Sequence, residues 1–542
     1  MKRKLLLILL GVLFVSTYAD AKERTEQEMR NIAFRQLSGK FYRRAGAIDA
    51  AAIQKVSDSP LLHIYESDQG GFVVIAKDDA FKPVLGYSTS PFEKGNMPEA
   101  FDEWLKNMET SMEAALALNG TVQSADVPYT PTENFLTTTW GQGDPFNFKS
   151  PVIGGKKAPS GCVATAMSQI MYYFKYPAQG EGEGTYRKSQ GSSIPMPVNG
   201  VYHWDQMKES YKSVTLTDEL REPISTLLFD AAISCSMNFE DGGSGSDLFD
   251  AGFGLAHNFG YDSLSIKIYF KDYCGQEEWQ KIIYSELAAR RPILAAGFAD
   301  DGGHAFVFSG IDEDGLIYIN WGWDGQGDGF YAIDTWSPLG YSYNQNKNII
   351  CGLNPSKEPA PGATYGSQWV ADYTVSYQNI RNWIIVKADK IANYSPLCFY
   401  GNVYLCFESE NGDIVKAYSA LDVQSLEPGY GYTSYSSGTI KVEDLPAGTY
   451  KAYLASKAEK ELGYSIVRST GGPIYYNITK DANGVITVSE AQSAVTGINH
   501  VVMPSGKTTP RYFDLQGREV NGSTKGLIIR HQGDEVKKVL VK

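Results

Sequence analysis

The chain has 542 residues, 43% of them hydrophobic, with 54 Gly, 35 Tyr and 24 Pro. At roughly 150 residues per domain this is three or four modules, which excludes a small disulfide-stapled scaffold, and the apolar fraction excludes global disorder. With 49 Lys and Arg against 62 Asp and Glu the formal charge is −13; a nucleic-acid partner is disfavoured, because affinity for phosphate backbones comes from clustered cations.

The N-terminus opens Met1-Lys-Arg-Lys, continues as an apolar run from Leu5 to Val15 and then presents Ala19-Asp20-Ala21. A basic start, an apolar segment too short to span a bilayer and a small-x-small site predict a signal peptide over 1–21, and hence a secreted or cell-surface protein. No later stretch approaches the ~20 apolar residues of a membrane helix.

Glu23 to Leu37 reads as a polar helix. Leu61 to Tyr65 and Phe72 to Ala76 flank Asp68-Gln-Gly-Gly, a hairpin pattern. After Pro98, residues Phe101, Trp104, Leu105, Met108 and Met112 recur on one helical face. This α+β piece ends in the polar stretch Asn119 to Thr132, where a boundary is expected. Between Lys106 and Lys149 there is no Lys or Arg, so a protease that demands a basic residue has no site there.

In Ala158-Pro-Ser-Gly-Cys162-Val-Ala-Thr-Ala-Met-Ser-Gln-Ile-Met-Tyr-Tyr-Phe174, the apolar positions Val163, Ala166, Met167, Ile170, Met171 and Phe174 share one face. Ser160 is the expected cap and Pro177 the stop. Cys162 then sits in the first turn, where unpaired N–H groups and the helix dipole favour an anion and make a thiol nucleophilic. Gly302-Gly-His304-Ala-Phe-Val-Phe reads as a strand with His304 at its entrance, and Leu316 to Asn320 as its returning partner, which can bring Asn320 within reach of His304. A thiolate needs a base to take and return a proton, and that base needs an orienting group. The Gly-rich loop Trp321 to Gly329 follows.

Pro355-Ser-Lys-Glu-Pro-Ala-Pro-Gly reads as a linker that few contacts cross. Beyond it short alternating runs flank Asn411-Gly412 and Asn483-Gly484, hairpin signals that together imply a β-sandwich. Asp312, Asp314, Asp324 and Asp328 do not fit a calcium-loop spacing, and His63, His203 and His257 lack zinc-spaced neighbours. Cys235, Cys274 and Cys351 read as reduced core residues, whereas a Cys398–Cys406 pair requires neighbouring strands. No metal or cofactor is expected.

The Ser160-Gly-Cys162-Val-Ala-Thr-Ala run, the Gly-Gly-His304-Ala-Phe-Val run and the Asn320-Trp-Gly-Trp block, in that order, resemble the streptopain family of secreted bacterial cysteine peptidases, papain-like in fold. The resemblance implies Cys162 as nucleophile and His304 as general base and acid. It implies Gln142 as an oxyanion-hole donor beside the Cys162 backbone N–H, and Asn320 and Trp321 as orienting and shielding residues. Papain itself has Asn-Ser-Trp where this sequence has Asn320-Trp321. The segment before the enzyme resembles that family's inhibitory propeptide, and Tyr512-Phe-Asp-Leu-Gln-Gly-Arg518 with the basic end resembles the sorting domains of Bacteroidetes exported proteins; a final pair of sandwich strands is the plainer reading.

The expected architecture is α+β: signal peptide 1–21, inhibitory propeptide 22–127, papain-like catalytic domain 128–357, β-sandwich 366–495 and a sorting-type β tail 496–542. The expected function is a secreted cysteine endopeptidase made as a zymogen, with protein or peptide substrates, its own propeptide as inhibitor, and export machinery or the cell surface engaged through the tail. A transglutaminase-like acyltransferase and an inert peptidase-fold adhesin are the alternatives.

Overall fold

A computed structural model describes residues 22–41, 52–117, 127–299, 302–333, 347–356, 366–378, 383–459, 461 and 463–493, and the backbone of 511–513, 519–520, 526–532 and 535–541. The expected signal peptide, most of the 119–132 boundary and most of the linker lie outside the described residues. The chain divides into two units, Met1–Ala494 and Val495–Lys542.

In the first unit, helix α1 (Glu26–Phe41) precedes strands β1 (Ile53–Asp58), β2 (Leu62–Ser67), β3 (Phe72–Ala76) and β4 (Val84–Ser88), an antiparallel meander. Side chains alternate across a strand: Tyr65, Val73 and Ile75 pack on Met29, Ala33 and Leu37 of α1, while Ile64, Phe72 and Val74 face the helix α2 (Glu99–Ala117). Both faces of the hairpin are thus covered, which accounts for a β3 that is apolar without interruption. On α2 the expected face is buried at Phe101, Trp104, Met108 and Met112.

The next segment divides into a helical and a β half. Helices α3 (Cys162–Phe174), α4 (Asp218–Ser234) and α5 (Leu248–His257) share one apolar core. The β half comprises β5 (Lys267–Phe270), helix α6 (Gln276–Ala288), β6 (Ile293–Ala299), β7 (Gly302–Ile311), β8 (Ile317–Asn320), β9 (Gly329–Tyr331) and β10 (Asn348–Cys351). The strands form a ten-stranded sheet in the order β1-β2-β3-β4-β9-β8-β7-β6-β10-β5. The β4–β9 pairing, with Ser88 opposite Gly329 and Tyr87 opposite Phe330, makes the N-terminal meander continuous with the β half.

Residues 369–493 build one eleven-stranded sheet folded over a single core, with Trp369, Tyr373 and Val386 from one layer meeting Phe399, Leu405 and Leu454 from the other. Both Asn-Gly hairpins form: 399–408 with 414–426, and 472–480 with 486–493. The expectation of few contacts across the linker is corrected. Gln368 Oε1 accepts from the Ile268 N–H at 2.8 Å, Arg468 pairs with Glu278, and Val370, Ala392 and Tyr394 cluster with Phe249, Phe270 and Tyr273. Cys398 and Cys406 are both free thiols. The second unit has its own four-stranded antiparallel sheet, in the order 519–520, 511–513, 526–532, 535–541, rather than a final pair of sandwich strands. No helix of the described residues is long and apolar enough to cross a membrane.

Candidate active site

The first residue of α3 is Cys162, and the residue before it explains the abrupt turn into the helix. Gly161 has φ 91°, a left-handed value that favours glycine, and a Cβ there would lie 2.5 Å from Met237 Cε. Gly161, not Ser160, is the N-cap, and it caps without a side chain. Ser160 turns back instead: its N–H donates to the Gln142 carbonyl at 3.0 Å. This bond ties the segment carrying Gln142 to the start of the helix that carries Cys162. The helix ends at Phe174, where Lys175 takes a left-handed conformation (φ 50°) and its N–H caps the last carbonyls.

Cys162, His304 and Gln142 line one cleft of about 770 Å³, together with Gln190, Asn238, Glu240, the glycine-rich run 242–245, Trp323 and Asp324. A hydrogen bond with Cys162 is the largest influence on the His304 imidazole and raises its pKa; the Cys162 charge and Glu99 act the same way, against desolvation by burial. A raised pKa favours the protonated ring, the form that can return a proton to a leaving amine.

Glu99 was not legible as a site residue. It opens α2, and its Oε2 lies 2.9 Å from His304 Nε2. In sequence it reads as an acidic residue complementing a helix dipole, and only the docking of α2 brings it into the cleft. Beneath His304, Trp104 and Met108 of α2 meet Phe306 and Trp321 in an apolar layer.

Asn320 is placed differently from expectation. The register sets it opposite Val307, not His304, and it is only 1% exposed. Its Oδ1 accepts from Gln169 Nε2 at 2.9 Å and from the Gly322 N–H at 3.0 Å, and its Nδ2 donates to the Thr138 carbonyl at 2.7 Å. Trp321 packs beside Phe306 with ring centroids 5.2 Å apart and lines the cavity that reaches His304. The loop behind it is anchored by Asp328, whose Oδ1 accepts from the Trp321 N–H at 2.8 Å and whose carboxyl is pushed up to about 8 by burial. Among the described residues no group of three or more His, Cys, Asp and Glu is placed to hold a metal.

A thiol at a helix start and an imidazole on a facing strand, lining one cleft between a helical and a β half, define a papain-like cysteine peptidase. Residues 140–331 match the Peptidase C10 family and residues 21–112 the Spi protease inhibitor family. The chain is 30% identical over 378 residues to the thiol protease/hemagglutinin PrtT of Porphyromonas gingivalis, covering 63% of this chain and 42% of that protein. It is 29% identical over 394 residues to streptopain of Streptococcus pyogenes, covering 65% of this chain and 98% of that one. The solved structure of a Prevotella intermedia prointerpain A fragment matches with a TM-score of 0.50 and 30% identity, over 57% of this chain and 99% of that chain. The chain belongs to the Peptidase C10, or streptopain, family, and carries its inhibitory propeptide ahead of the enzyme.

Proposed function

We propose that this zymogen matures into an exported endopeptidase in which Cys162 attacks the peptide carbonyl and His304 takes the thiol proton and returns it to the leaving amine. The Gln142 amide and the Cys162 N–H receive the oxyanion, Trp321 shields the imidazole, and Asn320 serves from beneath as an anchor of the strand pair. The observation that carries this reading is the one cleft that Cys162, His304 and Gln142 line together, with Glu99 Oε2 2.9 Å from His304 Nε2: the shared cleft is what catalysis needs, the Glu99 contact what latency needs. The matching families support a division into propeptide 22–127 and catalytic domain 128–357, followed by the sandwich over 366–495.

Maturation is by the enzyme itself, at a small or apolar residue between Asn119 and Thr132, a stretch without Lys or Arg. The leader 1–21 directs export, and the unit over 496–542 engages export machinery or the cell surface. The test is mass analysis of the secreted protein after treatment with a thiol-alkylating peptidase inhibitor. A single label on Cys162 in a chain that begins within 119–132 is expected. Activity that survives complete labelling at Cys162 overturns the assignment, and unchanged export and surface attachment after deletion of 496–542 overturns the role of the tail.

A further inference from the structure

Helix α3 is apolar except for a short polar row. Thr165, Ser168 and Gln169 are all fully buried, and a buried amide is costly unless its hydrogen bonds are met. Gln169 meets them across the molecule. Its Oε1 accepts from Thr138 Oγ1 at 2.7 Å and from the Trp140 N–H at 3.4 Å, while its Nε2 donates to Asn320 Oδ1 at 2.9 Å. Each partner leads to a different part of the site. Trp140 stands two residues before Gln142. Asn320 ends β8, whose ladder to β7 reaches Val307, three residues from His304. Gln169 itself lies seven residues from Cys162, about two turns down the same helix.

One side chain therefore bonds the helix of the nucleophile, the segment of the oxyanion donor and the strand pair of the base. Asn320 closes the ring by donating to the Thr138 carbonyl at 2.7 Å. We propose that Gln169 is a positioning residue of the peptidase, a clamp beneath the cleft that sets the reach from Cys162 to His304 and the aim of Gln142. It touches no substrate and acts through Asn320 and Thr138. The proposal rests on the site assignment above. Its physical basis is the sensitivity of catalysis to small displacements, since an error of about 1 Å costs on the order of 10²-fold.

The experiment uses the full chain carrying Gln169→Met, which keeps length and apolar bulk and removes both sets of bonds, matured with immobilised wild-type enzyme. The readouts are kcat and KM for a short peptide and the pH dependence of Cys162 alkylation by iodoacetamide. The expected result is a kcat lower by roughly 10- to 100-fold, a KM within about threefold of wild type, and an alkylation profile displaced from the wild-type curve. Gln169→Glu should regain activity relative to wild type as pH falls, because a carboxyl can donate to Asn320 only when protonated. Tyr172→Phe, which removes a buried 3.2 Å bond to the Met207 carbonyl from the same helix, should leave both readouts unchanged.

Should Gln169→Met fail to fold, Thr138→Val, which deletes one hydroxyl, decides the matter: a smaller kcat loss in the same direction supports the clamp. Wild-type kcat and an unmoved alkylation profile in whichever variant folds overturn it. So does a loss confined to melting temperature. Absence of labelling at Cys162 in the wild-type enzyme would instead sink the site assignment, so the two failures are distinguishable.

Discussion

The catalytic segment has two large neighbours within one compact unit, and it holds them in opposite ways. The propeptide is built into it: β4 extends its sheet at β9, and Phe101 and Trp104 share a core with Trp321 and Tyr331, with ring centroids 4.9 to 6.2 Å apart. The sandwich keeps a core of its own and meets the enzyme through an aromatic cluster and several polar bonds. The propeptide is bound like an interior layer, whereas the sandwich is bound like a separate domain. Inhibition needs an interface that blocks the cleft without help from a tether; a permanently tethered domain needs only orientation.

The largest expected effect removes the cutting activity itself. Cys162→Ala should lower peptide hydrolysis by at least about 10³-fold and leave the propeptide attached, while the sandwich interface is untouched. Activity above about a hundredth of wild type in a peptide assay would refute the assignment. In that same background, Gly86→Val attacks the interior-like interface, because a Cβ at Gly86 would stand 2.3 Å from the ring of the fully buried Tyr331. Overpacking of this kind costs about 1–3 kcal/mol, a hold weakened by roughly 5- to 150-fold. Calorimetry should show an earlier, separate propeptide transition, and a single unshifted transition would break the comparison.

Arg468→Ala probes the other neighbour. Its guanidinium pairs with Glu278 and lies 5.5 Å from the Tyr269 ring centroid. Both partners are partly exposed, so the loss should be about 1–2 kcal/mol, below that of a fully buried pair. The melting temperature should fall while kcat for a short peptide holds; a parallel fall in kcat would mean that the sandwich shapes the cleft.

The smallest effect is electrostatic. The His304 pKa is raised in the fold, so the attraction of Glu99 for the imidazolium is present at low pH and is lost as pH rises through that raised value. Glu99 is half exposed, its side chain at 51%, and such pairs contribute ~0.2–1 kcal/mol. Glu99→Gln should loosen propeptide inhibition by no more than about fivefold at acid pH and flatten its dependence on pH. An unchanged pH profile would remove Glu99 from latency.

Local chemistry made much of this legible. The periodicity of α2 and α3 and the Asn-Gly turns are properties of short windows, and the structure follows them. What escaped was pairing between windows. Asn320 was expected to come within reach of His304 because both lie near one end of a hairpin, but β8 is only four residues long and ends at Asn320 opposite Val307, three residues short of His304 on the longer β7. Ser160 has the chemistry of a cap, yet Gly161 alone fits the turn before Cys162. Glu99 and Gln169 gain their roles only where separate elements dock, and periodicity within a window says nothing of that.

The strand pairing between β4 and β9 has a consequence for timing. If the chain is cut between propeptide and enzyme, as proposed, the ladder, the aromatic layer and the Glu99 contact are all left in place. The fragment then remains at its post as a free inhibitor whose occupancy follows its concentration instead of the effective concentration of a linked segment. On the proposed maturation, cleavage and activation are therefore separate events: the cut enzyme is expected to stay silent where it is crowded and to wake on dilution into its surroundings, or once the fragment is itself digested.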